Sequence, residues 1–216
     1  MEGLSLGRGR VSAVARRSRG VGLLEPPSLL EVQFAGDASL VRLSQPVLLE
    51  SYSPLRRDLR ALMVAGFLAR LFLAALPDGQ PDEGVFDLLT GLMGGLSSGY
   101  SPVGCGLWGQ DRLLCELGLA PDFEACLKCG SPEVSGFSAL DGGVLCSSCY
   151  GGHGFALSSS VLESCRALRS VDLEQASGCL SAEVSVMSRV YKEQFLAHLG
   201  LSEALFRRVL PPKEGG

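Results

Sequence analysis

The sequence predicts an α+β chain, and three observations predict it. Short, turn-punctuated strand patterns fill the first fifty residues, helical periodicity takes over from residue 53, and two Cys-x-x-Cys pairs sit within the helical part. The 216 residues fit one large domain or two small ones. With 46% hydrophobic and 19% charged residues, the chain has enough apolar material to bury a core.

The strand reading rests on alternation. Leu30, Val32 and Phe34 alternate with Glu31 and Gln33, the period of a half-buried strand. Pro26-Pro27 and Ala35-Gly36-Asp37 bracket that run as turns. Leu40 to Leu43 and Val47 to Tyr52 are further short apolar runs, so the segment reads as a small barrel or sandwich.

Helical signals begin at Ser53-Pro54, a capping residue followed by a proline suited to a first turn. Leu55, Leu59, Leu62, Gly66, Ala69, Leu73 and Leu76 then recur at steps of four and three, which predicts one apolar helix face ending at Pro77-Asp78-Gly79. A second helix is expected from Pro81 to about Leu96. Residues 84 to 109 hold eight glycines, each costing a helix interior about 1 kcal/mol relative to alanine, so short, broken or poorly packed helices are expected there. Trp108 to Leu117, Leu157 to Leu168 and Ala182 to Leu199 read as helices, the last with Val184, Met187, Tyr191 and Phe195 on one face. Phe67, Phe72 and Phe195 fall in apolar patterns and read as core. The tail from Pro211 to Gly216 reads as disordered.

Cys126-Leu-Lys-Cys129 and Cys146-Ser-Ser-Cys149 are separated by sixteen residues, a zinc-ribbon layout. A Cys-x-x-Cys turn aims two thiolates at one point, and zinc prefers four such ligands in a tetrahedron. Phe137, Ser138 and Leu140 suggest a short hairpin between the pairs. Four thiolates close the coordination sphere, so the expected metal is a structural Zn2+, one per chain, rather than a catalytic one. His153 could replace a ligand but reads better as a solvated surface residue. Cys105, Cys115, Cys165 and Cys179 lack metal spacing and read as small buried hydrophobes.

Formal net charge is −4, yet no acidic residue lies between Glu2 and Glu25, where Arg8, Arg10, Arg16, Arg17 and Arg19 cluster. Arg56, Arg57 and Arg60 add a second basic group, with Arg56 and Arg60 placed on one face if the helix starts at residue 53. No secretory leader or apolar membrane span is read, which makes the expected compartment the cytoplasm, where paired cysteines favour metal over disulfides. There is no GxxxxGK[ST] phosphate loop, no HExxH and no motif selecting an acid–base pair, so an enzyme is not expected.

The order of these pieces resembles the bacterial recombination mediator RecO family. The resemblance is carried by Gly9-Arg10-Val11-Ser12-Ala13-Val14-Ala15-Arg16-Arg17, by Leu24-Glu25-Pro26, and by Leu48-Leu49-Glu50-Ser51-Tyr52 before the long helix. Its most specific part is Leu117-Gly118-Leu119-Ala120-Pro121-Asp122-Phe123 directly ahead of Cys126, followed by Phe137-Ser138 and the run Gly142 to Cys146. The resemblance implies an N-terminal OB-fold barrel over residues 1–53, here lacking its first strand, and a helical domain over 54–216 with a zinc module at about 123–155. It implies a DNA repair and recombination mediator of the RecF pathway, cytoplasmic and nucleoid-associated. Such a protein binds single- and double-stranded DNA, anneals complementary strands and contacts the C-terminal tail of single-strand-binding protein. With RecR it helps load RecA. The arginines named above are the expected DNA contacts, because arginine offers planar donors to phosphate and stacks on bases. A zinc-ribbon transcription or translation factor is the competing reading. It would call for basic residues on the ribbon, where Lys128 stands alone between Cys126 and Cys149. An enzyme with a structural zinc module, such as a nucleotide kinase lid, is a third, disfavoured by the missing phosphate loop.

Overall fold

The alternating segments fold as strands, and turn residues set their limits. The structure, a computed structural model, describes residues 2–15, 25–35, 41–152, 154–178 and 183–207. The chain folds as two compact units, Met1–Gly99 and Tyr100–Gly216.

The first unit contains strands β1 (Glu2–Ser5), β2 (Gly9–Ala15), β3 (Leu29–Ala35) and β4 (Val41–Glu50). They form one sheet in the order β1-β2-β4-β3. β1 pairs with β2 antiparallel, β3 with β4 antiparallel, and β2 with β4 parallel at Ala13↔Val41 through Ala15↔Leu43. The two apolar runs expected around residues 40 and 50 are one continuous strand, β4. Its register against β3 shifts between Glu31 and Gln33, opposite Gln45, whose φ is +50°, and Pro46. A proline inside a strand is accommodated at such an irregularity because its missing N–H is not asked to join the ladder. Among the described residues the sheet is open, with β1 and β3 as its edges, and no closed barrel forms.

Helix α1 (Leu59–Ala75) starts later than the sequence suggests. Ser53–Arg57 is a separate 3-10 turn, and Asp58 caps α1, its carboxylate accepting from the Arg60 and Ala61 amides at 2.8 and 3.1 Å. The extended backbone at Asp58 (φ −120°, ψ 107°) breaks the phase between Arg56 and Arg60, so the expected common helix face does not exist. The predicted apolar face is also corrected. The buried residues of α1 are Ala61, Val64, Ala65, Phe67, Leu68, Leu71, Phe72 and Ala75. Leu59 is 71% exposed, and Gly66 is exposed as well. The helix is apolar around most of its girth; Leu55 and Leu76 at the ends of the predicted stripe are core, but its members within α1 lie outside the buried face.

Helix α2 (Glu83–Ser97) completes this unit, and α3 (Pro102–Glu116) opens the second. Both run unbroken, contrary to the expectation of short or broken helices. Asp82 caps α2 at the Val85 amide, and Ser101 caps α3 at the Gly104 amide with Pro102 in the first turn. The chain breaks only between them, at Gly99 with φ +92°. One buried glycine is a contact surface. A Cβ on Gly104 would lie 2.5 Å from the Ala176 carbonyl oxygen of α5 (Leu173–Gly178), so the close crossing of α3 and α5 needs glycine there. Packing gained at the crossing offsets the propensity cost.

The rest of the second unit is a small sheet and four helices. Strands β5 (Gly136–Ser138), β6 (Gly143–Leu145) and β7 (Phe155–Ala156) form a sheet in the order β6-β5-β7. The hairpin β5–β6 is the one expected between the cysteine pairs. Helices α4 (Ser159–Ser170), α6 (Val184–Leu199) and α7 (Glu203–Phe206) follow alongside α5. Met187, Val190, Tyr191 and Phe195 are buried on α6, close to the expected face, and Phe67, Phe72 and Phe195 are core residues as expected.

Candidate metal centre

The four cysteines converge. The thiol sulfurs of Cys126, Cys129, Cys146 and Cys149 all lie within 4.8 Å of one another. The Cys129 and Cys146 sulfurs are 3.6 Å apart. A tetrahedron of sulfurs about 2.3 Å from a zinc ion has edges of about 3.8 Å, so the set has the size such an ion requires. Donor chemistry agrees, since all four ligands are soft sulfur and no carboxylate joins the group.

Backbone hydrogen bonds shape the two knuckles. The Gly130 amide donates to the Cys126 carbonyl at 2.8 Å, and the Cys126 amide donates to the Ser131 carbonyl at 2.8 Å. Gly130 sits at φ +73°, the left-handed conformation that closes this turn. In the second knuckle the Tyr150 amide donates to the Cys146 carbonyl at 2.9 Å. The Leu127 amide donates to the Val144 carbonyl at 3.1 Å, which ties the first knuckle to the hairpin. Cys126 and Cys146 are buried with Leu145, and Val134 and Tyr150 pack against them. Cys129 is exposed and Cys149 half-buried.

The thiols bias one another electrostatically. Hydrogen bonding from the Cys146 backbone lowers the Cys126 thiol to about 6. The Cys146 side chain, ahead of Cys129, pushes Cys149 up to about 12. For Cys129 the Ser131 backbone favours the thiolate, but the neighbouring Cys126 and Cys146 sulfurs outweigh it and the thiol is raised. Cys126 forms a thiolate readily, whereas Cys129 and Cys149 resist losing their protons because neighbouring sulfurs engage them in hydrogen bonds. A bound dication would remove that resistance.

The run from Leu117 to Phe123 explains itself here. Gly118 turns the chain out of α3 at φ +68°. The carbonyls that follow are outside any helix or strand and are claimed by side chains one by one. Leu119 accepts from Gln194 Nε2 at 2.9 Å, Pro121 from Arg169 Nη1 at 2.6 Å, and Phe123 from Arg166 Nε at 3.0 Å. Asp122 joins the hairpin: its amide donates to Gly142 and its carbonyl accepts from Val144, both at 3.0 Å. A Cβ on Gly143 would lie 2.4 Å from the Asp122 oxygen, which is why this approach needs glycine.

Beneath this run lies a buried ion pair that sequence reasoning missed. Asp111 has no exposure, and Arg169 reaches it through Nη2 at 2.5 Å while stacking 4.7 Å over the Phe123 ring. Burial works against the Arg169 charge, but Asp111 more than offsets it and the guanidinium pKa is raised. A signal was present: Asp111 falls on the same helical stripe as Leu107 and Leu114, where a carboxylate must find a buried cation.

The other predicted residues are less concentrated. Arg8 is exposed and lies 5.2 Å over the Phe34 ring. Arg10 pairs with Asp78 at 3.4 Å. Arg56 is held by Glu25, donating to its carbonyl at 3.0 Å and pairing with its carboxylate at 3.7 Å. Arg57 and Arg60 are exposed. Arg16, Arg17, Arg19, His153, Cys179 and the 211–216 tail lie outside the described residues. Cys105 and Cys165 are fully buried and burial pushes both thiols up to about 12, as expected of core cysteines, whereas Cys115 is half-buried.

The family model described as "Recombination protein O C terminal" matches residues 56–202, spanning α1, the cysteine module and α6. The chain belongs to the RecO family. A RecO relative, the DNA repair protein RecO of Anaeromyxobacter dehalogenans strain 2CP-C, is 35% identical over 156 residues, covering 68% of this chain and 61% of its own. The DNA repair protein RecO of Symbiobacterium thermophilum is 32% identical over 206 residues, covering 82% of this chain and 77% of its own. The chain thus spans about six tenths of the length of the Anaeromyxobacter RecO relatives. No described helix is long and apolar enough to cross a membrane.

Proposed function

We propose that this RecO-family chain is a non-enzymatic DNA repair and recombination mediator of the RecF pathway. It binds single- and double-stranded DNA and brings complementary strands together. The observation that carries the reading is the RecO family match over residues 56–202, which includes the four-cysteine module and the run that anchors it. In this reading the metal is one structural Zn2+ held by Cys126, Cys129, Cys146 and Cys149, supplying fold stability and no chemical step.

Annealing needs no catalytic group. It needs two polyanions held close with their repulsion screened. Arg8, Arg10, Arg16, Arg17, Arg19, Arg56, Arg57 and Arg60 are the proposed contacts, binding phosphate without regard to sequence. Arg8, Arg57 and Arg60 are exposed described members of the set, and Arg10 and Arg56 would exchange Asp78 and Glu25 for phosphate. The four-stranded sheet is read as part of an OB-type barrel. Its order β1-β2-β4-β3 supports this, since one strand placed between the two edges would make a closed five-stranded barrel. RecR, the tail of single-strand-binding protein and, through them, RecA are the proposed partners, in the cytoplasm at the nucleoid.

The competing transcription- or translation-factor reading would have the ribbon itself contact nucleic acid. Its one basic residue, Lys128, is paired with Asp141 at 3.4 Å, which argues against that. A strand-annealing assay decides. Complementary oligonucleotides should pair faster with the protein, without nucleotide cofactor. An unchanged pairing rate at low salt rejects the mediator reading.

A further inference from the structure

The approach to the first cysteine pair is held from one helix face. Leu162, Arg166 and Arg169 recur on α4 at steps of four and three, which places them on one stripe. The two guanidinium groups address carbonyls along the segment that leads to Cys126. Arg169 Nη1 donates to Pro121 at 2.6 Å. Arg166 Nε donates to Phe123 at 3.0 Å, and its Nη2 donates to Phe123 at 2.5 Å and to Glu124 at 2.8 Å. The two arginines differ in what else they hold. Arg169 is paired with the buried Asp111. Among the described residues, the Arg166 guanidinium serves these two carbonyls and no carboxylate.

We propose that Arg166 is a positioning residue of the metal centre, fixing where the first cysteine pair stands and so how firmly the four thiolates keep their ion. The proposal rests on the reading of the four cysteines as a zinc site. The two pairs are supported differently. Cys146 directly follows β6, so the sheet carries the second pair. Cys126 lies outside any helix or strand. On its C-terminal side the Leu127 amide reaches the Val144 carbonyl, and the Cys126 amide itself reaches Ser131. On its N-terminal side the last tie to another element is Arg166 on Glu124, with only Ala125 between Glu124 and Cys126. A sulfur tetrahedron about 3.8 Å on edge tolerates little drift of one pair against the other, so a tether this close to a ligand acts on the site.

Removing the tether costs position more than it costs hydrogen bonds. Arg166 is half-buried and Glu124 is exposed, so water can take over the freed Glu124 carbonyl. Water satisfies the oxygen but does not hold it against α4. Arg169 has the opposite balance, since its buried carboxylate partner makes it a stability residue first. Groups behind the ligands commonly change metal affinity by about 10–100-fold without touching the metal.

The test uses the purified zinc-loaded full chain. Release of zinc to excess chelator is timed for Arg166→Met, which keeps an apolar stem and loses every donor, and for Arg166→Lys, which keeps the charge and loses the fork. Arg166→Met should release zinc at least about tenfold faster, and Arg166→Lys should fall between it and the unsubstituted chain. Val161→Ala is the control, because Val161 is buried on the same helix and its truncation removes core packing but no donor. It should lower the melting temperature at least as much as Arg166→Met yet leave the release rate close to that of the unsubstituted chain. With cobalt loaded in place of zinc, Arg166→Met should shift the thiolate-to-cobalt absorption and Val161→Ala should not. Unchanged release in a folded Arg166→Met overturns the proposal, and so does equal acceleration by Val161→Ala. If Arg166→Met does not fold, Arg166→Lys decides, and release at the unsubstituted rate overturns the proposal. An unsubstituted chain that carries no zinc is a different failure, which overturns the metal reading and the tether with it.

Discussion

Asp111 on α3 and Arg169 on α4 are joined by a 2.5 Å ion pair whose carboxylate has no exposure. The same guanidinium donates to the Pro121 carbonyl and covers the Phe123 ring, so one side chain holds both the helices and the segment leading to the cysteines. Removing Asp111 leaves a half-buried cation with only the Pro121 carbonyl and the Phe123 ring to offset its desolvation. Asp111→Ala should therefore destabilise the protein by about 3 kcal/mol. Lys192→Ala, which breaks an exposed pair with Glu203, should cost less than about 1 kcal/mol. Urea unfolding of the two variants checks the contrast, and equal costs would deny the ion pair its anchoring role.

Metal content is the second expectation. The purified protein should carry about one zinc per chain, as a closed four-thiolate set requires. Cys126→Ser should lose the metal and lower the thermal stability of the unit spanning residues 100–216. The loss should be large, since structural zinc contributes on the order of 10 kcal/mol in small modules. Elemental analysis together with a melting curve in chelator reads both quantities, and a metal content near zero in fresh protein refutes the site.

Stability should fall at alkaline pH for a reason located in the core. Burial pushes Cys105 and Cys165 up to about 12 from an ordinary 9.0. The unfolded chain loses these protons first, so the native state binds more protons between those values and stability declines as pH rises through that window. Below pH 9 the contribution is fully present. Cys165→Ala should flatten the decline in unfolding free energy measured between pH 9 and pH 11, relative to the unsubstituted protein.

Glycines of the same helical region should respond oppositely to alanine. At Gly91 and Gly94 of α2 a Cβ meets nothing within 4 Å, so each substitution should stabilise by about 0.5–1 kcal/mol. At Gly104 the methyl would press on the Ala176 carbonyl at 2.5 Å, and Gly104→Ala should destabilise. Melting temperatures of the three variants are sufficient, and a stabilised Gly104→Ala would contradict the close α3–α5 crossing.

DNA affinity should depend on the arginines and not on the ribbon lysine. Arg16→Ala with Arg17→Ala, and separately Arg57→Ala with Arg60→Ala, should weaken single-stranded DNA binding. For every phosphate that no longer meets an arginine, the salt slope should drop by about 1. Lys128→Ala should leave both unchanged because Asp141 already holds that ammonium. Titrations at two salt concentrations compare them, and unaltered slopes in both arginine pairs would remove these residues from the DNA surface.

Local spacing determined the four-cysteine cluster and the hairpin between its pairs, because a Cys-x-x-Cys turn and a short glycine-bounded strand pair are specified by neighbouring residues. It also determined the α+β order of elements and the core role of Phe67, Phe72 and Phe195. Tertiary structure alone decided the rest. Asp58 rather than Ser53 starts α1, since a 3-10 turn satisfies the preceding backbone. The glycine-laden helices hold together because Gly104 meets a neighbouring backbone that no propensity scale contains. Period analysis found an apolar stripe through Leu62, Gly66 and Ala69 but could not tell which of the apolar surfaces of α1 the core would take. That choice depends on where α2 comes to lie against α1. Asp111 and Arg169 stand 58 residues apart in sequence, and only the packing of α3 against α4 brings their charges together.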